Sequence, residues 1–302
     1  MNIIDKRNWY FIISLLVIIP GIISFLLWGL DLGIDFTGGS ETTFVFQQSV
    51  TPKTVTQVEK TFTDNHIKVG TVQSSTNEVF IRTAPLTNKQ NAAVNKSMLP
   101  LFGPTYRQES FETIGPVIGS EITANAVKAV IVAAILIVLY ISWSFRKVPK
   151  PASSFRFGIC AIIALLHDAL VLIGLFSLLG HFFHVEVDSL FVTAVLTVIG
   201  FSVHDTIVVF DRIRENLLKS GSGVAFEQIV NDSIVQTLSR SLNTSLTAIL
   251  VLLSLLLFGG ESIRWFVVAL LIGIISGTYS SIFNAAPLLV VWQDWERRRR
   301  KV

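Results

Sequence analysis

The sequence predicts an α-helical membrane protein with six transmembrane helices and one inserted α+β domain. Hydrophobic residues make up 51% of the 302 residues and charged residues only 15%, and the mean hydropathy is +0.62. A water-soluble protein of this length needs no such apolar excess. Six apolar runs are long enough to cross a bilayer, and a polar stretch separates the first run from the second.

The first apolar run, Trp9 to Leu30, has about the 20 residues that a bilayer span needs. The apolar part of a secretory signal is shorter, and no small-residue cleavage site follows this run. We therefore expect a retained helix, with residues 1–30 forming the N-terminus and the first span. Residues 31–123 then form the inserted domain.

Five further runs are of spanning length, and short loops connect them. They form a helical bundle over residues 124–293, followed by a basic tail at 294–302. The single cysteine, Cys160, lies within a run, so no internal disulfide is expected. The predicted spans are Ala124–Phe145, Arg156–Leu179, Val187–Phe210, Leu238–Phe258 and Ile263–Trp292.

The orientation follows from the basic residues of the short loops, because Lys and Arg are retained on the cytoplasmic side. The loop at 181–188 carries neither, and the loop at 259–264 carries one. Both termini are therefore expected in the cytoplasm, and the inserted domain outside it. The basic residues that indicate this are Lys6, Arg7, Arg146, Lys147, Lys150, Arg156, Arg212, Arg214, Lys219 and Arg297 to Lys301.

The inserted domain has the pattern β-α-β-β-α-β. This order is typical of ferredoxin-like domains. A proline at the first turn marks the first helix, and a hairpin signal at 74–77 joins the two middle strands. The predicted strands are Thr42–Val50, Ile67–Gln73, Glu78–Thr83 and Tyr106–Ile114, and the predicted helices are Pro52–Asn65 and Thr87–Phe102.

Ionisable groups inside a span cost roughly 2.5 to 3.5 kcal/mol each and so need an explanation. Asp168, Asp205 and Arg240 are the candidates. Asp205 lies ~9 Å below the cytoplasmic end of the fourth span, and Arg240 enters the fifth span from the same side. A contact between them is our hypothesis. It is either a static pair that holds two helices together or an acid that changes its protonation as ions pass.

Three further polar positions accompany these acids. Asp168 and its neighbour His167 are interpreted as structural or supporting, with a proton relay as the alternative for His167. His204 precedes Asp205 and so faces about 100° away, which favours packing. The loop residues His181, His184, Glu186 and Asp188 are expected to be solvated, so no metal site is predicted.

The sequence lacks the motifs of several other functional classes. No GxxxxGK[ST] motif for ATP and no GxSxG motif for a nucleophilic serine occur. We expect no catalytic residue and no cofactor. The net charge of +3 does not indicate nucleic acid, because the basic residues cluster at the ends of apolar runs. Gly273 and Gly277 form a GxxxG pair that permits close helix packing.

Several segments are similar to the SecF family, the smaller membrane subunits of the bacterial SecD–SecF protein-export complex. GFSVHDTIVVFDRIREN at 200–216 resembles the family signature GYSxNDTxVxFDRIREN. Its His204 and Phe201 depart from the commoner Asn and Tyr. The other matching segments are LGIDFTGGS at 32–40, IGPVIGSEI at 114–122, QTLSRSLNTS at 236–245 and GTYSSIFNAAPL at 277–288.

The resemblance implies an auxiliary subunit of the Sec translocase in the bacterial inner membrane. Together with SecD, and beside the SecY–SecE–SecG channel and its accessory subunits, it would use the ion gradient to release preproteins outside. The six helices would be half of an RND-type bundle. The resemblance assigns the proton pathway to Asp205 with Arg240 as its charged partner. Asp168, Thr206 and His204 are interpreted as supporting polar groups inside the membrane. The transported ion is a proton, with sodium as the alternative.

Two motifs of the resemblance lie outside the bundle interior. The cytoplasmic motif is either a solvated helix end or a specific loop or partner contact. The turn motif leads from the first helix into the outer domain, where Gly38 and Gly39 permit the turn and Asp35 anchors it. The cytoplasmic motif comprises Asp211, Arg212, Glu215 and Asn216.

Two other functions compete with protein export. A small-molecule efflux component of the same superfamily needs a large outer cavity, for which the inserted domain of 31–123 offers little room. A purely structural scaffold of the translocon would need no intramembrane titration. Export that is insensitive to a collapsed ion gradient would favour the scaffold.

Overall fold

The computed structural model describes residues 2–146, 153–220 and 223–299. The chain divides into a membrane unit, Met1–Asp31 with Lys128–Val302, and a domain unit, Leu32–Val127. Six helices are long and apolar enough to cross a membrane, and four strands form one sheet. The predicted fold class is confirmed. Lys147, Lys150 and the end of the basic tail from residue 300 lie outside the described residues.

Helix α1, Arg7–Trp28, is the first span. It ends two residues before the predicted Leu30 because Gly29 adopts φ +71°, where its N–H donates to the Phe25 carbonyl at 2.9 Å. Glycine reaches this conformation without the steric penalty of a side chain. Pro20 lies inside the helix, as transmembrane helices tolerate.

The domain unit begins with the short helix α2, Ile34–Thr37, and then follows the predicted β-α-β-β-α-β order. The antiparallel sheet has the strand order β2-β3-β1-β4 of ferredoxin-like domains. Helices α3 and α4 begin with capping boxes at Thr51 and Thr87. The elements are β1 Gly39–Phe46, α3 Pro52–Asp64, β2 Val69–Ser74, β3 Glu78–Thr83, α4 Asn88–Phe102 and β4 Tyr106–Ile114.

Strand β1 differs from its prediction at both ends. It starts at Gly39, which pairs with Ile114 of β4, and it ends at Phe46 instead of Val50. The Val50 N–H donates to the Thr76 carbonyl at 2.8 Å, outside the ladder, as the chain turns towards the cap of α3.

The core of the domain lies between one face of the sheet and the two helices. Large apolar side chains fill it, and burying each stabilises the fold by about 1.5 to 3 kcal/mol. Fully buried members are Phe44, Val58, Phe62, Val79, Ile81, Val94 and Met98.

The rest of the membrane unit consists of long helices, of which α8 extends furthest beyond its prediction. It begins at Phe226 and not at Leu238, because its first turns are amphipathic and mean hydropathy alone does not detect them. Helix α7 likewise runs past Phe210 to Lys219. The helices are α5 Pro116–Ser144, α6 Ser154–Phe183, α7 Ser189–Lys219, α8 Phe226–Phe258, α9 Arg264–Ser280 and α10 Ala286–Arg299.

Two close helix crossings organise the bundle. Gly21 of α1 and Gly174 of α6 meet where a Cβ on Gly21 would lie 2.8 Å from the Gly174 Cα. On α9, a Cβ on Gly273 would overlap the side chain of Val198 of α7. Between α9 and α10, the predicted last span is interrupted by a π-helical turn, Ser281–Ala285. Such turns are frequent at functional sites.

Candidate functional site

Asp205 lies on the interior face of α7 and is 2% exposed. Its Oδ2 atom has no hydrogen-bond partner within the described part of the chain. The Thr278 hydroxyl of α9 neighbours the carboxyl group and is itself 2.5 Å from the Ser245 hydroxyl of α8. Asp205 therefore faces the place where α7, α8 and α9 meet, with acceptor capacity unused.

Arg240 does not contact Asp205. It is exposed on α8, and the ion pairs among the described residues do not include it. The buried face of α8 carries Thr237, Ser241 and Ser245, and Arg240 is rotated about 100° from Ser241. The hypothesis of a direct contact within this chain is therefore not supported, because the helix presents Arg240 away from α7.

Asp168 of α6 is 1% exposed and, unlike Asp205, is surrounded by donors. Ser202 of α7 donates to Oδ2 at 2.5 Å, and Ser280 of α9 donates to the same atom at 2.6 Å. Ser276 of α9 donates to Oδ1 at 2.6 Å. The Nδ1 atom of His167 lies 3.0 Å from Oδ1. The carboxyl group thus links α6 to both α7 and α9.

His167 extends this network to α1 and the π-helical turn. Its Nε2 atom is 3.0 Å from the Ser14 hydroxyl, which accepts a hydrogen bond of 2.8 Å from Asn284. The Tyr279 ring stacks on the imidazole, and its hydroxyl donates to the Tyr10 carbonyl at 2.7 Å. His167 is thus a hydrogen-bonded polar contact that joins Asp168 to α1.

The two residues that flank Asp205 differ in burial. His204 is exposed on α7, so it faces away from Asp205 as its helix position predicts, but it does not pack against this chain. Thr206 is buried, and its Oγ1 atom makes no hydrogen bond in the described structure. The Oγ atom of Ser241 on α8 likewise has no partner there. Asp205 and the next residue of α7, Thr206, thus both carry a buried polar atom without a partner in the described structure.

The cytoplasmic motif forms a hydrogen-bonded junction between α7 and α8. Arg212 donates to the side chains of Gln236 at 2.6 Å and Glu215 at 2.6 Å. Asn216 donates to the Ser233 hydroxyl at 2.8 Å and to Gln236 at 3.0 Å. Asp211 pairs with Arg214 at 3.6 Å. Arg212 and Asn216 thus connect α7 to α8, and Glu215 accepts from Arg212 within α7.

The turn motif lies in the domain unit. Gly38 and Gly39 have φ of +71° and +136°. A Cβ on Gly38 would approach Pro116 to 3.0 Å, and one on Gly39 would lie 2.8 Å from the Thr83 carbonyl. Both positions therefore require glycine for conformation and for space.

Metal binding has no support from the described residues 2–146, 153–220 and 223–299, which contain no group of three or more His, Cys, Asp or Glu side chains able to hold an ion. Of the four such residues predicted to lie in one loop, His181 instead lies in the last turn of α6 and stacks on Trp28 with the ring centroids 3.8 Å apart. Asp188 caps α7 by accepting the Phe191 N–H at 2.8 Å. These contacts give His181 and Asp188 structural roles.

The chain was compared with known protein families and proteins. The profile of the protein export membrane protein SecD/SecF C-terminal family matches residues 94–295. A protein translocase subunit SecF of Thermobaculum terrenum is 48% identical over 97% of this chain and 94% of its own length. The chain belongs to the SecF family. A second profile, the SecD/SecF GG motif, matches residues 28–50, which include Gly38 and Gly39.

Two SecDF proteins share this architecture within longer chains. The protein translocase subunit SecDF of Bacillus subtilis is 36% identical over 98% of this chain, which spans 38% of that protein. The crystal structure of SecDF from Thermus thermophilus, titled a translocon-associated membrane protein, matches with a TM-score of 0.84 at 32% identity. It covers 97% of this chain, which spans 39% of the crystallised chain.

The donors around Asp168 were not predicted as site residues. Ser276, Ser280 and Asn284 follow one another at intervals of four, which places them on one face of the last span. The small residues of this helix, Ser276 and Ser280 among them, predicted close helix packing and not a polar site. A polar stripe at helical spacing in an apolar helix, together with the isolated Ser14 in the first span, is the signal that would have indicated the network.

Proposed function

We propose that this chain pairs with SecD in the bacterial inner membrane and uses the proton gradient to help preproteins leave the Sec channel on the outer side. Family membership supports the role in export. Asp205 carries the energy-coupling part of the proposal, as a buried intramembrane acid whose Oδ2 has no partner in the described structure. The chain would act as a transport component and not as an enzyme.

An unsatisfied buried group has an energetic cost that protonation can change. A buried acceptor without a partner costs about 1 to 3 kcal/mol, and ionisable groups inside spans mark ion pathways more often than structural pairs. A proton that reaches Asp205 changes its charge and its hydrogen bonding to α9. One charge crossing 100 mV releases about 2.3 kcal/mol, which shifts a helix-packing equilibrium more than tenfold.

SecD would supply the other half of the bundle. The SecDF relatives hold both parts in one chain, and this chain spans 38% of the Bacillus subtilis protein. Arg240 and the apolar Val251, which lies about three turns further along the same side of α8, are exposed. We propose that SecD covers this face, so that Arg240 acts on the ion pathway from the interface. The SecY–SecE–SecG channel, its accessory subunits and the preprotein are further proposed partners.

The topology is part of the same proposal. Lys6 and Arg7 precede the first span, and Arg212, Arg214 and Lys219 follow the core of the fourth. Because basic loops stay in the cytoplasm, both termini would be cytoplasmic and the ferredoxin-like domain would lie outside, where it could hold an emerging chain.

The test is export into vesicles that contain the translocase and the complex of this chain with SecD, with and without a proton gradient. Asp205→Asn should remove the gradient-stimulated part of export, a loss of roughly tenfold or more, and leave ATP-driven export intact. Asp232→Asn makes the same chemical change at an exposed position of α8 and should have no effect.

Two results would redirect this proposal. Full stimulation in Asp205→Asn would show that this acid is not the coupling group, whereas export that no gradient stimulates even with the unaltered chain would favour the non-energised scaffold. Stimulation by a sodium gradient alone, after the proton gradient is collapsed, would replace the proton by sodium.

A further inference from the structure

We propose that Asp168 is a positioning residue for Asp205. By accepting hydrogen bonds from α7 and α9 at once, it holds the two helices in the arrangement that places the Asp205 carboxyl beside Thr278. The activity expected of it rests on the proposed function, whereas its effect on helix packing does not.

The first observation is where the donors to Asp168 lie on their helices. Ser202 precedes Asp205 on α7 by three residues, about 4.5 Å along the axis. Ser276 and Ser280 flank Thr278 on α9. The contacts of Asp168 are thus within one turn of the Asp205–Thr278 contact on both helices.

The second observation is that a single Asp168 atom bridges the two helices. Oδ2 accepts from Ser202 at 2.5 Å and from Ser280 at 2.6 Å. Any shift of α9 along α7 by more than a fraction of a turn must break one of the two bonds. Gly277, whose Cβ position lies 3.0 Å from the Ser202 Cβ, lets the helices approach closely enough for both.

The third observation is that the rest of the environment of Asp168 is polar and satisfied. His167 on α6 is the one ionisable side chain bonded to it in the described structure, and Ser14 of α1 holds that imidazole from the other side. The neighbours from α7 and α9 are hydroxyls. Asp168 thus has the fixed partners that a positioning group needs, and Asp205 keeps the free acceptor that an ion-accepting group needs.

The experiment uses the complete chain with SecD in vesicles and measures two quantities for each variant. The first is the ratio of export with and without the gradient. The second is the backbone hydrogen-exchange rate of residues 273–280 on α9. The variants are Asp168→Asn, Ser202→Ala and Ser280→Ala. Ser177→Ala is the control, because this buried serine of α6 bonds to Ser24 of α1 at 2.7 Å and touches neither α7 nor α9 by a hydrogen bond.

Asp168→Asn replaces one of the two acceptor oxygens with an NH2 donor, so in either orientation of the amide at least one hydrogen bond from α9 loses its acceptor. We expect roughly tenfold faster exchange in α9 and a roughly tenfold smaller gradient stimulation, the usual scale for losing a hydrogen bond to an ionisable partner. Each serine variant should give part of this effect. The double variant Asp168→Asn with Ser202→Ala should lose less than the two single variants combined, because both substitutions act on the same side-chain acceptor group. Ser177→Ala should match the wild type in both measurements.

Unchanged α9 exchange in Asp168→Asn, or effects of the double variant that multiply, would overturn the positioning role. Should Asp168→Asn fail to accumulate, Ser202→Ala and Ser280→Ala decide the question by the same two measurements. The Asp205→Asn variant keeps the two proposals apart. If Asp205→Asn retains gradient stimulation, the proposed function fails. The hydrogen-exchange rates of residues 273–280 then test by themselves whether Asp168 positions α9.

Discussion

The two buried acids of the bundle, Asp168 on α6 and Asp205 on α7, are equally hidden from solvent but differ in how their oxygens are used. Both oxygens of Asp168 accept hydrogen bonds, from side chains of three helices. Asp205 leaves Oδ2 without a partner in the described structure. Burial alone therefore does not distinguish the two acids, whereas their hydrogen bonds do.

The difference has an energetic consequence. A satisfied buried carboxyl is costly to remove, because its donors are left behind without acceptors. An unsatisfied one already carries that cost in the folded state, so its removal relieves part of it. The first group stabilises one arrangement of helices, whereas the second contributes fewer hydrogen bonds to it.

The largest effect should appear in the free energy of unfolding. Asp168→Leu leaves three serine hydroxyls without an acceptor, and we expect a loss of about 3 to 5 kcal/mol. Asp205→Leu should change stability by less than about 1 kcal/mol, or increase it. Reversible unfolding of the purified chain in mixed micelles measures both. Equal losses for the two variants would break the distinction between the acids.

The contact of α7 with α9 provides the next test, because both acids depend on it. Gly273→Ala forces a methyl group into Val198, and we expect a loss of about 1 to 3 kcal/mol together with lower gradient stimulation. Gly200→Ala is the matched control on α7, where a Cβ would meet no atom within 4 Å. It should be neutral or stabilise by up to about 1 kcal/mol. A tolerated Gly273→Ala would mean that the helices can separate without cost.

The sequence predicted the fold because hydropathy and turn signals are local. The six spans and the β-α-β-β-α-β order each depend on a few neighbouring residues, as at Gly29 and Thr51. The amphipathic start of α8 at Phe226 escaped prediction because its polar face lowers the mean hydropathy while its apolar face is buried. The π-helical turn at Ser281 has no local signature in these residues.

The site was predictable only in part, for a different reason. The insertion cost singled out Asp168, Asp205 and Arg240 as residues that need an explanation. Which of them have partners depends on the rotation of each helix about its axis, and a rotation of 100° separates the exposed Arg240 from the buried Ser241. That rotation is set by packing between helices that are far apart in the sequence. The hydrogen bonds that Asp168 accepts from α7 and α9 were therefore visible only in the structure.

The smallest predicted effect tests the same reasoning on a satisfied group outside the membrane. The Tyr106 hydroxyl donates to the Asn95 carbonyl at 2.9 Å, so Tyr106→Phe should cost about 1 kcal/mol of domain stability.

Burial raises the pKa of the Tyr106 phenol. The folded chain therefore holds this proton more tightly than the unfolded chain. The resulting stability is complete below the ordinary tyrosine pKa of about 10 and is lost as the pH rises through the folded value. Unfolding of the complete chain between neutral and alkaline pH should show this loss in the wild type and a smaller one in Tyr106→Phe. Identical pH profiles would mean that the folded chain holds the Tyr106 proton no more tightly than the unfolded chain does.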